Sequence, residues 1–119
     1  MSASRLSEPG LIVAPLTPFT ADLAVDEPAL ARQIDYIVKD CRATMIVAAG
    51  VETQEYTYLN FEERRNLIRR TIELTDRRVP VMVGISHASF RTAIALAHEA
   101  EKLGAAAVQV LAPLRPFAG

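Results

Sequence analysis

The stretch Met45-Ile46-Val47-Ala48-Ala49 is apolar at every position. A strand with one face in water alternates apolar and polar residues, so an unbroken apolar run predicts a strand covered on both faces, as in a parallel sheet. Largely apolar runs also occur at Leu11–Leu16, at Val81-Met82-Val83-Gly84-Ile85 and at Val108-Gln109-Val110-Leu111. The sequence therefore predicts four strands of one parallel sheet.

Helical signals lie between these runs. Asp26 is a predicted N-cap with Pro28 in the first turn of its helix, Asn60 and Glu63 form a capping-box pattern, and Ser89 is a predicted N-cap before the third helix. Gly104 is the expected stop of that helix.

Each helix has an expected buried face at helical spacing. In the first helix this face is Leu30, Ile34, Ile37, Val38 and Cys41. In the second it is Leu67, Ile68, Ile72 and Leu74, with Arg64, Arg65, Arg69 and Arg70 largely outward in a solvated face of ion pairs. In the third it is Ala93, Ile94, Ala97, Ala100 and Leu103.

The alternation of strands and helices predicts an α/β fold, the front half of a TIM (β/α)8 barrel in the order β-α-β-α-β-α-β with parallel strands. A closed barrel needs roughly 250 residues, and this chain has 119. We therefore expect an incomplete barrel domain over residues 10–119, with four strands and three helices, after a flexible N-terminal segment over residues 1–9.

Composition narrows the classes of function. The net charge is −1 with both signs dispersed, and the chain has no Trp, so neither a basic stripe nor an aromatic platform favours a nucleic-acid partner. The single cysteine, Cys41, excludes an intrachain disulfide and a zinc–cysteine cluster, and we expect it to be an inert core thiol. The polar start lacks the apolar region of a signal peptide, and no apolar run approaches the ~20 residues of a membrane span. We expect a cytoplasmic protein without a membrane partner.

In a parallel βα barrel, functional groups lie in the loops that follow the strands. Thr17 follows the first strand, Glu52-Thr53-Gln54-Glu55-Tyr56 follow the second, and His87 follows the third. Thr53 and Gln54 could donate hydrogen bonds to a carboxylate or carbonyl oxygen, whereas Glu52 would repel an anion unless protonated or paired. A solvated loop without a ligand is the alternative.

The two histidines lead to different expectations. His87 could transfer protons near neutral pH, whereas a lone histidine at a strand end is more often a structural residue held by hydrogen bonds. His98 lies midway along a helix beside Glu99 and Glu101, and we expect it at the surface. Their spacing matches no familiar metal motif, so no metal site is expected.

An ordered set of motifs resembles the amino-terminal part of the dihydrodipicolinate synthase and N-acetylneuraminate lyase family, from about Gly10 to Pro113. The matching stretches are Thr17-Pro18-Phe19, Val25-Asp26-Glu27, Leu59-Asn60 with Glu62-Glu63-Arg64, Val79-Pro80-Val81 with Gly84, and Ala100-Glu101-Lys102-Leu103-Gly104-Ala105. The family's members are Schiff-base enzymes that handle pyruvate. The resemblance implies a small 2-oxo acid substrate, no cofactor, and a homo-oligomer.

The resemblance also assigns residues. The family carries Gly-Thr-Thr-Gly-Glu after the second strand, and here Val51-Glu52-Thr53-Gln54-Glu55 stands in its place. Thr53 and Glu55 match, so the resemblance implies substrate binding by Thr53, Thr17 and Glu55, with Gln54, Tyr56 and His87 as further candidates. Glu52 replaces a threonine and Gln54 a glycine, which predicts a divergent substrate or a lost activity.

The family's Schiff-base lysine and catalytic tyrosine lie later in the barrel, so no catalytic residue is expected in this chain, which alone would be inactive. After the fourth strand, Ala112-Pro113-Leu114-Arg115 stands where the family often has Pro-Pro-Tyr-Tyr. Three readings follow: the front portion of a lyase or aldolase, a truncated product that does not fold stably, and a non-catalytic half-barrel that pairs with another chain.

Overall fold

The computed structural model describes residues 9–51 and 57–112. Its elements are β1 (Ile12–Val13), α1 (Glu27–Lys39), β2 (Met45–Ala48), α2 (Phe61–Thr75), β3 (Val81–Gly84), α3 (Phe90–Lys102) and β4 (Ala107–Gln109). The predicted alternation of strands and helices is confirmed.

The four strands form one parallel sheet in the order β1-β2-β3-β4. This order confirms the half-barrel topology. β1 is shorter than the predicted Leu11–Leu16 run and ends before Pro15, whose nitrogen cannot donate to a neighbouring strand. β4 begins at Ala107, one residue earlier than expected, and ends at Gln109 rather than Leu111.

The core lies between one face of the sheet and the helices. The pairing of Ile46 with Val81 and of Ala48 with Val83 places alternate residues of β2 and β3 on this face. Ile46 and Val83 are completely buried there. The same core cluster includes Leu30, Ile34 and Ile37 of α1, Leu67 and Ile68 of α2, and Leu96 and Ala100 of α3. Each helix is therefore held against the sheet by an apolar stripe.

The helix starts follow the predicted cap positions, with one difference. Asp26 Oδ1 accepts a hydrogen bond from the Ala29 amide at 3.0 Å. The Asn60 side chain accepts from the Glu63 amide, and the Glu63 carboxylate accepts from the Asn60 amide, which completes the capping box. Ser89 occupies the N-cap of α3, but its side chain makes no capping hydrogen bond.

Three side-chain placements differ from the prediction. Ile94 is 52% exposed, and the completely buried residue of α3 is instead Leu96. Alanines are spread around α3, so the spacing of its apolar residues is compatible with either of two adjacent faces as the buried one. Arg64 is buried rather than outward. Cys41 is half-buried and lies outside the core cluster.

The other arginines of α2 form the predicted ion pairs. Arg65 pairs with Glu62 and Glu99, while Arg69 and Arg70 both pair with Glu73. The hydrogen bond from Arg65 lowers the pKa of the Glu99 carboxyl, and those from Arg70 and Arg69 lower the pKa of Glu73. Within residues 9–51 and 57–112, no helix is long and apolar enough to cross a membrane.

Candidate functional site

The carboxyl ends of the parallel strands meet at one edge of the sheet, which we call the C-terminal edge. Here it comprises Thr17, the turn Ala49-Gly50-Val51, Gly84 with the Ser86-His87 segment, and Gln109 with Leu111. Since catalytic groups of βα barrels lie at this edge, the contacts between these residues define what the site can hold.

The end of β2 turns sharply across β3. Ala49 has a left-handed backbone with φ of 52°, which a residue with a side chain adopts at a cost of about 1–3 kcal/mol. A β-carbon added to Gly84 would lie 2.1 Å from the Ala49 carbonyl oxygen, far inside any tolerated contact. The chain after β2 can therefore cross directly over β3 only because residue 84 is a glycine.

Side chains join the ends of β2, β3 and β4. Gln109 Oε1 accepts a hydrogen bond from the Val51 amide at 3.2 Å, reaching from β4 past β3 to the end of β2. The Leu111 amide donates to Ser86 Oγ at 2.8 Å, and the Ile85 amide donates to the Gln109 carbonyl at 2.9 Å. The C-terminal edge is thus linked across three strands.

Arg64 fixes the same edge from the helix layer. Its guanidinium donates to the carbonyl oxygens of Gly84 and Ser86, both at 2.7 Å, and the residue is only 2% exposed. A charged donor to two neutral carbonyls holds the segment after β3 more firmly than neutral hydrogen bonds would. The sequence contained a signal for this placement, because Arg64 lies three and four residues before the inward Leu67 and Ile68.

His87 lies at the C-terminal edge and is exposed. Its Nδ1 accepts a hydrogen bond from the Ser89 amide at 2.9 Å, so a neutral imidazole in this geometry carries its proton on Nε2. His87 can therefore present one N–H donor to a ligand. This contact also provides a hydrogen-bond acceptor for the Ser89 amide at the N-cap of α3.

Thr17 is half-buried at the same edge, between β1 and α1. The residues on both sides of it are held in place. The Gln33 side chain donates to the Leu16 carbonyl at 3.1 Å, and the Asp26 amide donates to the Pro18 carbonyl at 2.9 Å. Four other predicted site residues, Thr53, Gln54, Glu55 and Tyr56, lie outside the described residues.

Both lysines of the chain lie away from this edge. Lys39 and Lys102 are the last residues of α1 and α3, and each precedes the next strand by only a few residues. They therefore lie towards the opposite, N-terminal edge of the sheet. Lys39 is exposed, and the Lys102 side chain is 77% exposed with its Nζ 3.9 Å from Glu99. His98 is also exposed on α3, as expected.

Among residues 9–51 and 57–112, no group of three or more His, Cys, Asp or Glu side chains could hold a metal ion. In the described part of the C-terminal edge, the amides of Val51, Ile85 and Leu111 already donate hydrogen bonds within the protein. The Nε2–H of a neutral His87 is a donor that can face a ligand.

Comparison with known proteins assigns the family. The model of the dihydrodipicolinate synthetase family matches residues 7–115. The chain belongs to this family. The match extends over all seven strands and helices and includes every residue of the C-terminal edge.

Relatives within the dihydrodipicolinate synthetase family are substantially longer. The 4-hydroxy-tetrahydrodipicolinate synthase of Archaeoglobus fulgidus is 38% identical over 104 residues, which are 87% of this chain and 34% of that protein. The chain therefore spans about a third of the length of the curated relatives it matches.

Solved structures agree in fold. YagE from Escherichia coli K12, a prophage protein of the dihydrodipicolinic acid synthase family determined in complex with pyruvate, is 34% identical with a TM-score of 0.79. The match covers 85% of this chain and 33% of YagE. An N-acetylneuraminate lyase from Mycoplasma synoviae is 25% identical with a TM-score of 0.81, over 88% of this chain and 36% of the lyase. The four strands and three helices correspond to the N-terminal half of the barrel in these proteins.

Proposed function

We propose that this chain forms the strand-one to strand-four part of the substrate pocket of a Schiff-base lyase or aldolase that acts on pyruvate or a related 2-oxo acid. The observation that carries the proposal is family membership, together with 34% identity to a relative that binds pyruvate. Its position in the fold supports it, since βα barrels bind their substrates at the C-terminal edge, where Thr17 and His87 lie and where a neutral His87 presents an Nε2–H donor.

In this proposal Thr53 holds the substrate carboxylate, because a hydroxyl donor stabilises an anionic oxygen without a large desolvation cost. Thr17 supports the pocket from the end of β1. Glu55 matches the glutamate of the family's Gly-Thr-Thr-Gly-Glu motif. Gln54, Tyr56 and His87 are further contacts, with His87 contributing its Nε2 donor. Glu52, which precedes Thr53 in the sequence, adds a negative charge, and this favours a substrate different from that of relatives with two threonines.

The reaction needs an amine that this chain does not place at the pocket. A lysine amine would add to the ketone carbon of the substrate and release water, and the resulting iminium would act as an electron sink. Lys39 and Lys102 are the last residues of their helices and lie towards the N-terminal edge of the sheet. The proposal therefore assigns the Schiff-base lysine to residues outside these 119 and expects the chain alone to be inactive. It includes a cytoplasmic homo-oligomer that needs no cofactor.

Borohydride trapping of pyruvate on the natural gene product tests the proposal. Reduction of the iminium would leave a stable covalent adduct detectable by intact mass. We expect Thr53→Val to weaken trapping about tenfold, the size of one lost hydrogen bond to a charged group. Thr44→Val is the control, because its hydroxyl donates to the Leu11 carbonyl at the opposite edge of the sheet. Absence of an adduct with pyruvate and with other 2-oxo acids would contradict the proposal.

A second candidate function is a non-catalytic half-barrel that pairs with another chain. The observation that favours it is exposed apolar surface at both sides of the sheet: Ile12 of β1 is 55% exposed, and Val108, Val110 and Leu111 in and after β4 are 46%, 62% and 48% exposed. Unpaired strands with apolar side chains favour association with further strands.

Sedimentation of the 119-residue chain distinguishes the two candidates. A paired half-barrel predicts a folded dimer of twice 13.0 kDa. A folded, monodisperse monomer would contradict this second function. If the chain shows no cooperative unfolding transition, the result would instead support the third interpretation, a truncated product that does not fold stably.

A further inference from the structure

Gln109 and Gly84 have no role in the function proposed above, yet both act on the segment that leads from β2 to Thr53. Gln109 holds the Val51 amide with its side-chain oxygen, and Gly84 leaves the space through which the Ala49 carbonyl passes. We propose that Gln109 is a positioning residue for the turn Ala49-Gly50-Val51, which precedes Thr53 in the sequence, and that the lack of a side chain at Gly84 makes this contact possible. The inference rests on the proposed function.

The order of the strands places Gly84 of β3 between Gln109 of β4 and the end of β2. Gly84 and Gln109 are register partners on neighbouring strands, so their α-carbons lie side by side at the C-terminal edge and their side-chain positions share one face. β2 lies on the other side of β3. A bond from Gln109 to the end of β2 must therefore pass over residue 84.

The lack of a side chain at Gly84 leaves room for the turn after β2. A β-carbon there would lie 2.1 Å from the carbonyl oxygen of Ala49 and 3.2 Å from the α-carbon of Gly50. Both neighbours are main-chain atoms, which cannot rotate away as the tip of a side chain can. Any larger residue at position 84 would push the end of β2 away from Gln109 and break the hydrogen bond to Val51.

The backbone of the turn after β2 is strained at Ala49. Ala49 is held in the left-handed region, a conformation that persists only where surrounding contacts determine it. The bond between the Val51 amide and Gln109 lies two residues beyond Ala49 and fixes the direction in which the chain leaves β2. Thr53 follows two residues later in the sequence, so we expect loss of this bond to weaken carboxylate binding by Thr53.

The test compares Gln109→Met with Gln109→Glu in the natural gene product. Methionine has a similar length but no acceptor oxygen, whereas glutamate keeps the acceptor. We expect hydrogen exchange at the Val51 amide to be about tenfold faster in Gln109→Met and close to the unmodified rate in Gln109→Glu, the size expected for one hydrogen bond. The buried Ile46 amide of β2 reports whether the core remains folded.

Pyruvate trapping provides the functional measurement. The pyruvate concentration for half-maximal trapping should rise about five- to tenfold in Gln109→Met, with the amount trapped at saturation unchanged. The control Thr44→Val, which removes a comparable side-chain hydrogen bond at the opposite edge, should leave both quantities unchanged. Gly84→Ala should reproduce the effects of Gln109→Met on both Val51 exchange and trapping.

Three results would overturn the inference, and they separate it from the proposed function. Unchanged Val51 exchange in Gln109→Met would refute the structural contact. Faster exchange with unchanged pyruvate dependence would refute positioning while leaving the proposed function intact. Absence of trapping in the unmodified protein would refute the proposed function and the positioning role that rests on it.

Discussion

Arg64→Met should be the most destabilising arginine substitution in the chain. The residue is 2% exposed, and its guanidinium donates to the Gly84 and Ser86 carbonyls at 2.7 Å. A hydrogen bond to a charged group contributes about 1.5–3 kcal/mol. Because methionine also ends the desolvation of a buried charge, part of the loss is recovered. We expect the free energy of unfolding to fall by about 3 kcal/mol, a large share of a typical domain's stability.

Urea unfolding followed by circular dichroism measures this change as a shift in midpoint at an unchanged slope. Arg69→Met is the matched control, since Arg69 is on the same helix but its side chain is 45% exposed and pairs with Glu73 at the surface. Such a pair contributes about 0.2–1 kcal/mol. Equal losses in the two variants would refute the claim that Arg64 is a buried link between α2 and the C-terminal edge.

Two further predictions test packing and charge. Leu96→Ala should lower the free energy of unfolding by about 2–5 kcal/mol because Leu96 is fully buried, whereas Ile94→Ala should lower it by less than about 1 kcal/mol because Ile94 is half-exposed. Thermal melts of both variants measure these losses, and similar losses would refute the assigned buried face of α3. The hydrogen bond from Arg65 lowers the pKa of the Glu99 carboxyl below its ordinary value of 4.5. The ionised carboxylate therefore stabilises the fold at pH values above 4.5, and this stabilisation is lost as the pH falls through the lowered pKa. Glu99→Gln should therefore flatten the decline in stability below about pH 4.5, and an unchanged acid slope would contradict the role of its bond to Arg65.

Much of the fold could be predicted from local signals. The unbroken apolar run at Met45–Ala49 indicated a covered parallel strand, and Asp26 and the Asn60–Glu63 box marked helix starts, because caps and burial patterns are written in neighbouring residues. The ends of β1 and β4 were misplaced, since strand length depends on pairing between residues distant in sequence. The buried face of α3 was partly wrong because alanines fit several faces.

The site was harder to predict because its contacts are long-range. Thr17 and His87 were assigned correctly to the C-terminal edge from their place after strands. The bond from Gln109 to Val51 joins residues 58 apart and carries no sequence pattern. Arg64 had a usable signal in its spacing from Leu67, but its charge argued against burial. Arg64 can be buried because its guanidinium donates to the carbonyls of Gly84 and Ser86, which come together only in the folded sheet.

The central claim is that this family member provides a 2-oxo acid pocket whose amine comes from residues outside the 119. Peptide mapping of the natural gene product after pyruvate and borohydride treatment tests it most directly. We predict one modified lysine, which is neither Lys39 nor Lys102, and unchanged modification when both of these are replaced by methionine. A modified Lys39 or Lys102, or no modified lysine with any 2-oxo acid, would contradict the account.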